Sequence, residues 1–278
     1  MTGTGTQADP YIPTTLTEFI EAVGTSGAYV ALDRDIDAAS DPAYTGELAS
    51  SIAWRAVEVD GGGFSLVGVT VALATFFVTS AATTAKNFRI RDCTLKKGTT
   101  DCIIWDGISG TMTHQNCIIS IKVDCEVGST SYLSYNVIFD TCAIMIQYTG
   151  TSKPPSGSRD SIFDGTDFIR STVLIDSLST QITTMILFRR GTASRTAFIL
   201  KDTSFSTMRL AEDATFEYGY VCFIGSLSYG AITAFQRAVT CLVSCEQEAS
   251  VSLASGWTQC SIDQLKDKDY LSSVGWLP

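Results

Sequence analysis

The chain has 278 residues, of which 17% are charged, with 19 Lys and Arg against 29 Asp and Glu for a net charge of −10. That length is ample for one large buried core, and the charged fraction lies below the roughly 25% of an ordinary soluble domain. So acidic a balance excludes a non-specific nucleic-acid binder and a binder of anionic membranes, both of which need basic surface.

Residues 1–10 carry neither the basic nor the apolar region of a secretory signal. The most apolar stretch, 67–78, falls well short of the roughly 20 residues of a membrane span. The expectation is a soluble protein made in a cytosol, with no membrane partner. Thr15-Leu16-Thr17-Glu18 is a capping box, followed by Phe19, Ile20, Ala22 and Val23 at helical spacing, which predicts a short amphipathic helix over 16–23. Tyr29-Val30-Ala31-Leu32 then opens the strands. Segments 55–60 and 64–71 flank Gly61-Gly62-Gly63, a turn without the pattern of a phosphate-binding loop.

From there to residue 260 helical periodicity is absent. Short runs of Val, Ile, Thr and Phe are broken by Gly, Asn, Asp and Ser, which is strand punctuation. Cys93, Cys117 and Cys142 fall at steps of 24 and 25, and Thr172 and Thr203 extend the series. Taking these five as position zero, position +2 holds Leu95, Ile119, Ile144, Leu174 and Phe205. Position −3 holds Ile90, His114, Phe139, Ile169 and Leu200, and position −1 holds Asp92, Asn116, Thr141, Ser171 and Asp202. Side chains alternate along a strand, so −3 and +2 cannot both face inward from one straight strand. A bend must lie between them, and −1 carries residues that tolerate left-handed backbone. Each repeat therefore reads as strand, polar corner, strand. The expected fold is all-β: a right-handed parallel β-helix of coils of about 24 residues, with short N- and C-terminal capping helices. A β-sandwich is the architectural alternative. Longer steps imply outward loops, such as 148–160.

Nine cysteines cannot all pair within one chain. None forms CxxC, and His114 is the sole imidazole, so neither a metal site nor a cofactor is expected. Buried free thiols are the simpler expectation. His114 falls in an otherwise apolar slot, which argues against a histidine-dependent active site. Lys96-Lys97 is too small a basic loop for nucleic acid. Trp54, Trp105, Trp257 and Trp276 are too scattered to predict an aromatic stripe.

The candidates for chemistry are acids. Asp101 and Asp106 flank Trp105, a possible sugar platform, and Asp164 and Asp167 lie beside the longest outward loop. Paired carboxylates across a glycosidic bond are the machinery of polysaccharide hydrolysis. At the C-terminus Ser261-Ile262-Asp263-Gln264 is a second capping box, opening a short helix through about Leu265. The organisation expected is an N-terminal attachment and capping segment over 1–35, a β-helix over 36–260, and a capping helix and tail over 261–278.

Two stretches carry a family resemblance. Gly3-Thr-Gly-Thr-Gln-Ala-Asp-Pro-Tyr-Ile12, followed by a short helix and Gly27-Ala-Tyr-Val-Ala-Leu32, resembles the opening of β-helical virion proteins of tailed bacteriophages. Gln264-Leu-Lys-Asp-Lys-Asp-Tyr-Leu-Ser-Ser-Val-Gly-Trp276 resembles the closing segment of similar proteins. The resemblance covers both ends and implies a non-enzymatic structural protein, decorating the capsid or sitting in the tail or fibre. It implies synthesis in the bacterial cytoplasm, assembly with other virion proteins, and self-association as a homotrimer. Contacts would run through Pro10, Tyr11, Ile12 and Trp276, with bacterial surface polysaccharide a further partner. The alternative is a polysaccharide-degrading or sugar-binding β-helix that uses Trp105 with Asp101 and Asp106, or Asp164 with Asp167. A surface adhesin is a third reading, disfavoured by the lack of an export signal.

Overall fold

The computed structural model describes residues 1–73, 75–97, 103–107, 110–125, 132–149, 161–177, 185–203, 205–225, 229–234, 238–239, 241–246 and 250–274. It is a parallel β-helix. Each central coil passes through three short strands, represented by Ser134–Tyr135, Val137–Asp140 and Ala143–Tyr148, and each strand pairs in parallel with its counterparts in the coils before and after. Three faces result. The first two share a 16-stranded sheet, because Met185–Ser194 and Phe205–Glu217 run through both. The third is an 11-stranded sheet running from Ile36–Asp37 to Trp257–Cys260.

The bend demanded by the side-chain parity is a column of left-handed residues between the second and third faces. Asn87, Asn116, Thr141, Arg170, Arg195 and Tyr218 occupy it, all with φ between 49° and 57°. The residue after each corner turns inward, and where it is Cys or Ser its side chain staples two coils. Cys142 Sγ donates to the carbonyls of Asp140 in its own coil and His114 in the preceding one, each at 3.4 Å. Ser171 Oγ does the same to Ile169 and Phe139, at 3.0 and 3.1 Å. Cys117 Sγ reaches Gln115 and Ala85, at 3.3 and 3.5 Å. The carbonyls of Gln115, Asp140 and Ile169 also accept backbone amides of the preceding coil, from Asn87, Asn116 and Thr141, so these side chains add a second contact at each corner. Cys93, Cys117, Cys142, Cys222, Cys245 and Cys260 are free thiols.

The coil register differs from the one the cysteine spacing suggested. Cys117 and Cys142 are neighbours on the corner ladder, immediately preceding the pair Ile118↔Ala143. Cys93, however, lies one step further along the third face, paired with Ile121. The counterpart of Cys142 is Ser171 and not Thr172, since Thr172 pairs with Ala143. Thr203 belongs to a different corner, next to Asp202 (φ 49°). The aliphatic ladder exists, but its members are Leu66, Ile90, Ile119, Ile144, Val173, Phe198, Val221 and Val243, all buried. Leu174, assigned to it by the spacing, points outward and is half-buried. Two irregularities shifted the count. Asp92 (φ 55°) is a bulge within Arg89–Lys97, which offsets Cys93, and the coils vary in length, with 25 residues from Cys117 to Cys142 and 29 from Cys142 to Ser171; most of the expected loop over 148–160 lies outside the described residues.

Aromatic rings fill the axis, contrary to the scattered pattern of the four Trp. Trp105, Phe139, Phe168, Phe198, Phe216 and Trp257 form a chain of ring contacts with centroids 5.0 to 5.7 Å apart. His114 is fully buried in this spine, stacked on Phe139 at 5.1 Å and 9°, so its slot is the apolar one expected. Such offset and edge contacts add about 0.5–1.5 kcal/mol each beyond burial.

The two ends are finished differently. At the N-terminus a helix α1 (Leu16–Gly24), opened by Thr15 as predicted, buries Leu16, Phe19, Ala22 and Val23. Phe19 stacks on Phe88 at 5.9 Å and meets Trp54 edge-on at 6.0 Å. The segment before it pairs with the first strand, Tyr29–Ala31: Tyr11 N donates to Tyr29 O, and Ala31 N to Tyr11 O, both at 2.9 Å. At the C-terminus the Ser261–Gln264 capping box forms in both directions, at 2.8 and 3.1 Å, but it opens only a single 3-10 turn, Gln264–Lys266. A helix α2 (Lys268–Ser273) follows, capped by Asp267. These elements lie on the outer surface of the third face, where Leu271 packs with Leu242 and Cys260. Among the described residues they do not cover the last rung: Gln259, in register with the inward Val243, is exposed, and Val251, in register with Ile232, is half-buried. No helix among the described residues is long and apolar enough to cross a membrane.

Candidate functional site

The densest polar constellation lies on the first face, at its corner with the second. Parallel register places Asp106, Tyr135, Asp164, Arg189 and Glu212 in one column on successive coils. Strand neighbours are about 4.8 Å apart, so the Asp106 and Asp164 positions are separated by roughly 9.6 Å, with Tyr135 between them. One acid from each expected pair therefore shares this column, two coils apart, an alignment that sequence proximity hid. Asp164 is 5% and Asp106 6% exposed.

The corner residue Arg190 completes the group. It sits in left-handed backbone (φ 49°), and Gly191 follows it because a Cβ there would lie 2.3 Å from the Thr166 carbonyl oxygen. That turn sends the guanidinium back along the column. Its Nε and Nη2 donate to the two carboxylate oxygens of Asp164 at 2.6 and 2.5 Å, and its carbon lies 5.9 Å from the centre of the Tyr135 ring. The pairing raises the Arg190 pKa, chiefly through the hydrogen bonds it donates to Asp164. Tyr132 packs against Tyr135 at 5.1 Å. Arg209 binds Glu212 at 3.2 Å a few coils on.

Chemically the column brings together ring faces, a bidentate cation and carboxylates, groups of the kind that bind sugar rings and hydroxyls. Hydrolysis would require one protonated carboxyl.

The remaining expected residues are dispersed. Asp167 lies around the corner on the second face, where its Oδ1 accepts from Thr192 N at 2.7 Å, a structural use. Trp105, expected as a sugar platform, is a correction: it is fully buried in the aromatic spine against Phe139 and His114, because its strand position faces inward. Pro10, Tyr11 and Ile12, expected as partner contacts, are half-buried and close the chain's own first rung. The Tyr11 ring packs on Gly5, where an added Cβ would lie 2.5 Å from it. Asp101 and Trp276 lie outside the described residues. Arg190 and Tyr135 were missed by sequence reasoning; the only local signal was Arg190-Gly191, a side chain set on a sharp turn. Among the described residues no three His, Cys, Asp or Glu side chains converge as a metal site.

Comparison with protein-family models, curated proteins and solved structures returns no match.

Proposed function

We propose that this chain is a non-enzymatic structural protein of a tailed-phage virion, made in the bacterial cytoplasm and assembled as a capsid-decorating or tail component. The observation that carries the reading is the use to which the two terminal motifs are put. The Gly3–Ile12 stretch, which resembles the opening of such proteins, folds as a closure on the first rung. The Gln264–Val274 stretch, which resembles their closing segment, folds onto the last coils. A stapled, ladder-built rod suits a part that must be rigid outside a cell, and its free thiols suit synthesis in a reducing cytosol. The test is compositional. Particles purified from a lysate of the encoding phage should contain the chain at fixed copy number; particles free of it would overturn the reading.

The Asp106–Tyr135–Asp164–Arg190 column supports a second reading, a β-helix that binds or cuts bacterial surface polysaccharide. Incubation with capsular or wall polysaccharide should then release reducing ends, and Asp106→Asn should abolish the release. Binding without release would retain recognition and discard hydrolysis.

A further inference from the structure

We propose that Cys117 and Cys142 are an oxidisable pair, which a small peroxide joins into a disulfide tying two neighbouring coils together. Each is the buried residue that follows a left-handed corner, Asn116 or Thr141, and together they immediately precede the register pair Ile118↔Ala143. Rung neighbours of a parallel sheet stand about 4.8 Å apart, inside the Cα separation that a disulfide spans, roughly 4.4–6.8 Å. Cys142 Sγ also lies 3.4 Å from the His114 carbonyl, in the coil of Cys117. It already sits in the gap that the bridge would cross.

Among the described residues no other two thiols are rung neighbours. Cys93 faces Ile121, Cys245 faces Phe223, Cys241 faces Trp257, and Cys222 and Cys260 both face Ser244. On either side of the pair the same slot holds Phe88 and Ser171. Each sulfur therefore has a single thiol to join.

The groups the step needs are in place. A thiolate attacks peroxide, and a thiol does not. The fully buried His114 imidazole lies three residues before Cys117, and apart from that thiol no described group hydrogen-bonds either ring nitrogen. The hydrogen bond from the Cys142 thiol, helped by His114 and opposed by burial, lowers the Cys117 pKa to about 5, and the same contact raises that of Cys142. The Cys117 thiolate attacks one peroxide oxygen. The O–O bond breaks, a sulfenic acid forms, and the departing hydroxide takes the Cys117 proton by way of the imidazole to become water. Cys142 Sγ then attacks that sulfur. The S–O bond breaks, the S–S bond forms, and the second hydroxide leaves with the Cys142 proton as water. The bridge closes a loop from 117 to 142 that restricts the unfolded chain. The inference concerns the isolated chain and holds whether or not it belongs to a particle.

The purified full chain, treated with equimolar hydrogen peroxide, alkylated and digested without reductant, should yield one linked peptide pair, Cys117 with Cys142, and Cys93 in alkylated form. The linked chain should unfold at higher denaturant concentration than the reduced chain, and a thiol reductant should reverse both changes. Cys142→Ser should leave Cys117 as a sulfenic acid that a dimedone probe labels, whereas Cys117→Ser should leave Cys142 unlabelled. His114→Phe, which keeps an aromatic ring in the spine, should slow linking about tenfold at neutral pH, with the rate recovering as pH rises. Linking of His114→Phe at the wild-type rate would overturn the part given to the imidazole. Recovery of both cysteines alkylated in the wild-type chain, linkage of either to another cysteine, a link that forms only in denaturant, or a linked chain no harder to unfold would overturn the proposal.

Discussion

Among the described residues the N-terminal end of the solenoid is closed and the C-terminal end is left open, although each carries a capping box and a short helix. At the first rung α1 places Phe19 across the axis, on Phe88 and Trp54, while the segment through Tyr11 takes up the hydrogen bonds of the strand edge. At the last rung α2 turns aside onto an outer face, and Thr258 and Gln259 remain exposed. A helix at the end of a coil stack is therefore not by itself a cap. Capping needs an apolar side chain directed along the axis and a backbone partner for the edge.

Deleting residues 1–24 should give the largest effect, an insoluble or cooperatively unfolded chain, because it bares both the core and the edge. Deleting 261–278 should leave a soluble solenoid with a nearly unchanged far-ultraviolet spectrum. Equal behaviour of the two truncations would erase the distinction. At the level of single side chains, Phe19→Ala should cost about 3–5 kcal/mol, and Leu271→Ala about 2 kcal/mol, in denaturant titration. Phe19 is fully buried, whereas Leu271 covers one face at 8% exposure.

Acid should separate the ends again. The Glu18 pKa is lowered to about 2 by hydrogen bonds from the N-terminal amine and Thr14. That of Asp41 is lowered by the backbone amides of Thr17 and Ala43. Carboxyls held below their ordinary values stabilise the folded state fully above those values, and the contribution disappears as pH falls through the folded pKa. Hydrogen-exchange protection in α1 should thus fall between about pH 4.5 and pH 2, ahead of the central coils; simultaneous loss would break the assignment. The smallest effect concerns thiols. Burial pushes Cys93 up to about 12 and Cys260 to about 11, so both should resist a disulfide reagent in the native chain. In the 1–260 truncation Cys260 should become reactive and Cys93 should not.

Much of this was legible from residues alone. The argument that an odd step between inward positions demands a bend located the corner, and Asn116 and Thr141 occupy it in left-handed backbone. The C-terminal capping box closed in both directions, whereas at the N-terminus Thr15 caps Glu18 N and the Glu18 carboxylate takes Thr14 N instead of Thr15 N. The errors share one cause. Val173 and Leu174 are both aliphatic, and only the pairing of Thr172 with Ala143 turns the first inward and the second out. A slip of one residue exchanges the faces of a strand.

Strand alternation, the corners and the start of α1 were readable from the residues, because each is set by neighbours within a few positions. The tertiary structure alone decided which coil residues stack, and with them the Asp106–Tyr135–Asp164 column, the guanidinium that joins it and the aromatic spine. Loops of unequal length and the bulge at Asp92 break any fixed period. Register in a parallel sheet is chosen by hydrogen bonds and side-chain packing between strands more than twenty residues apart.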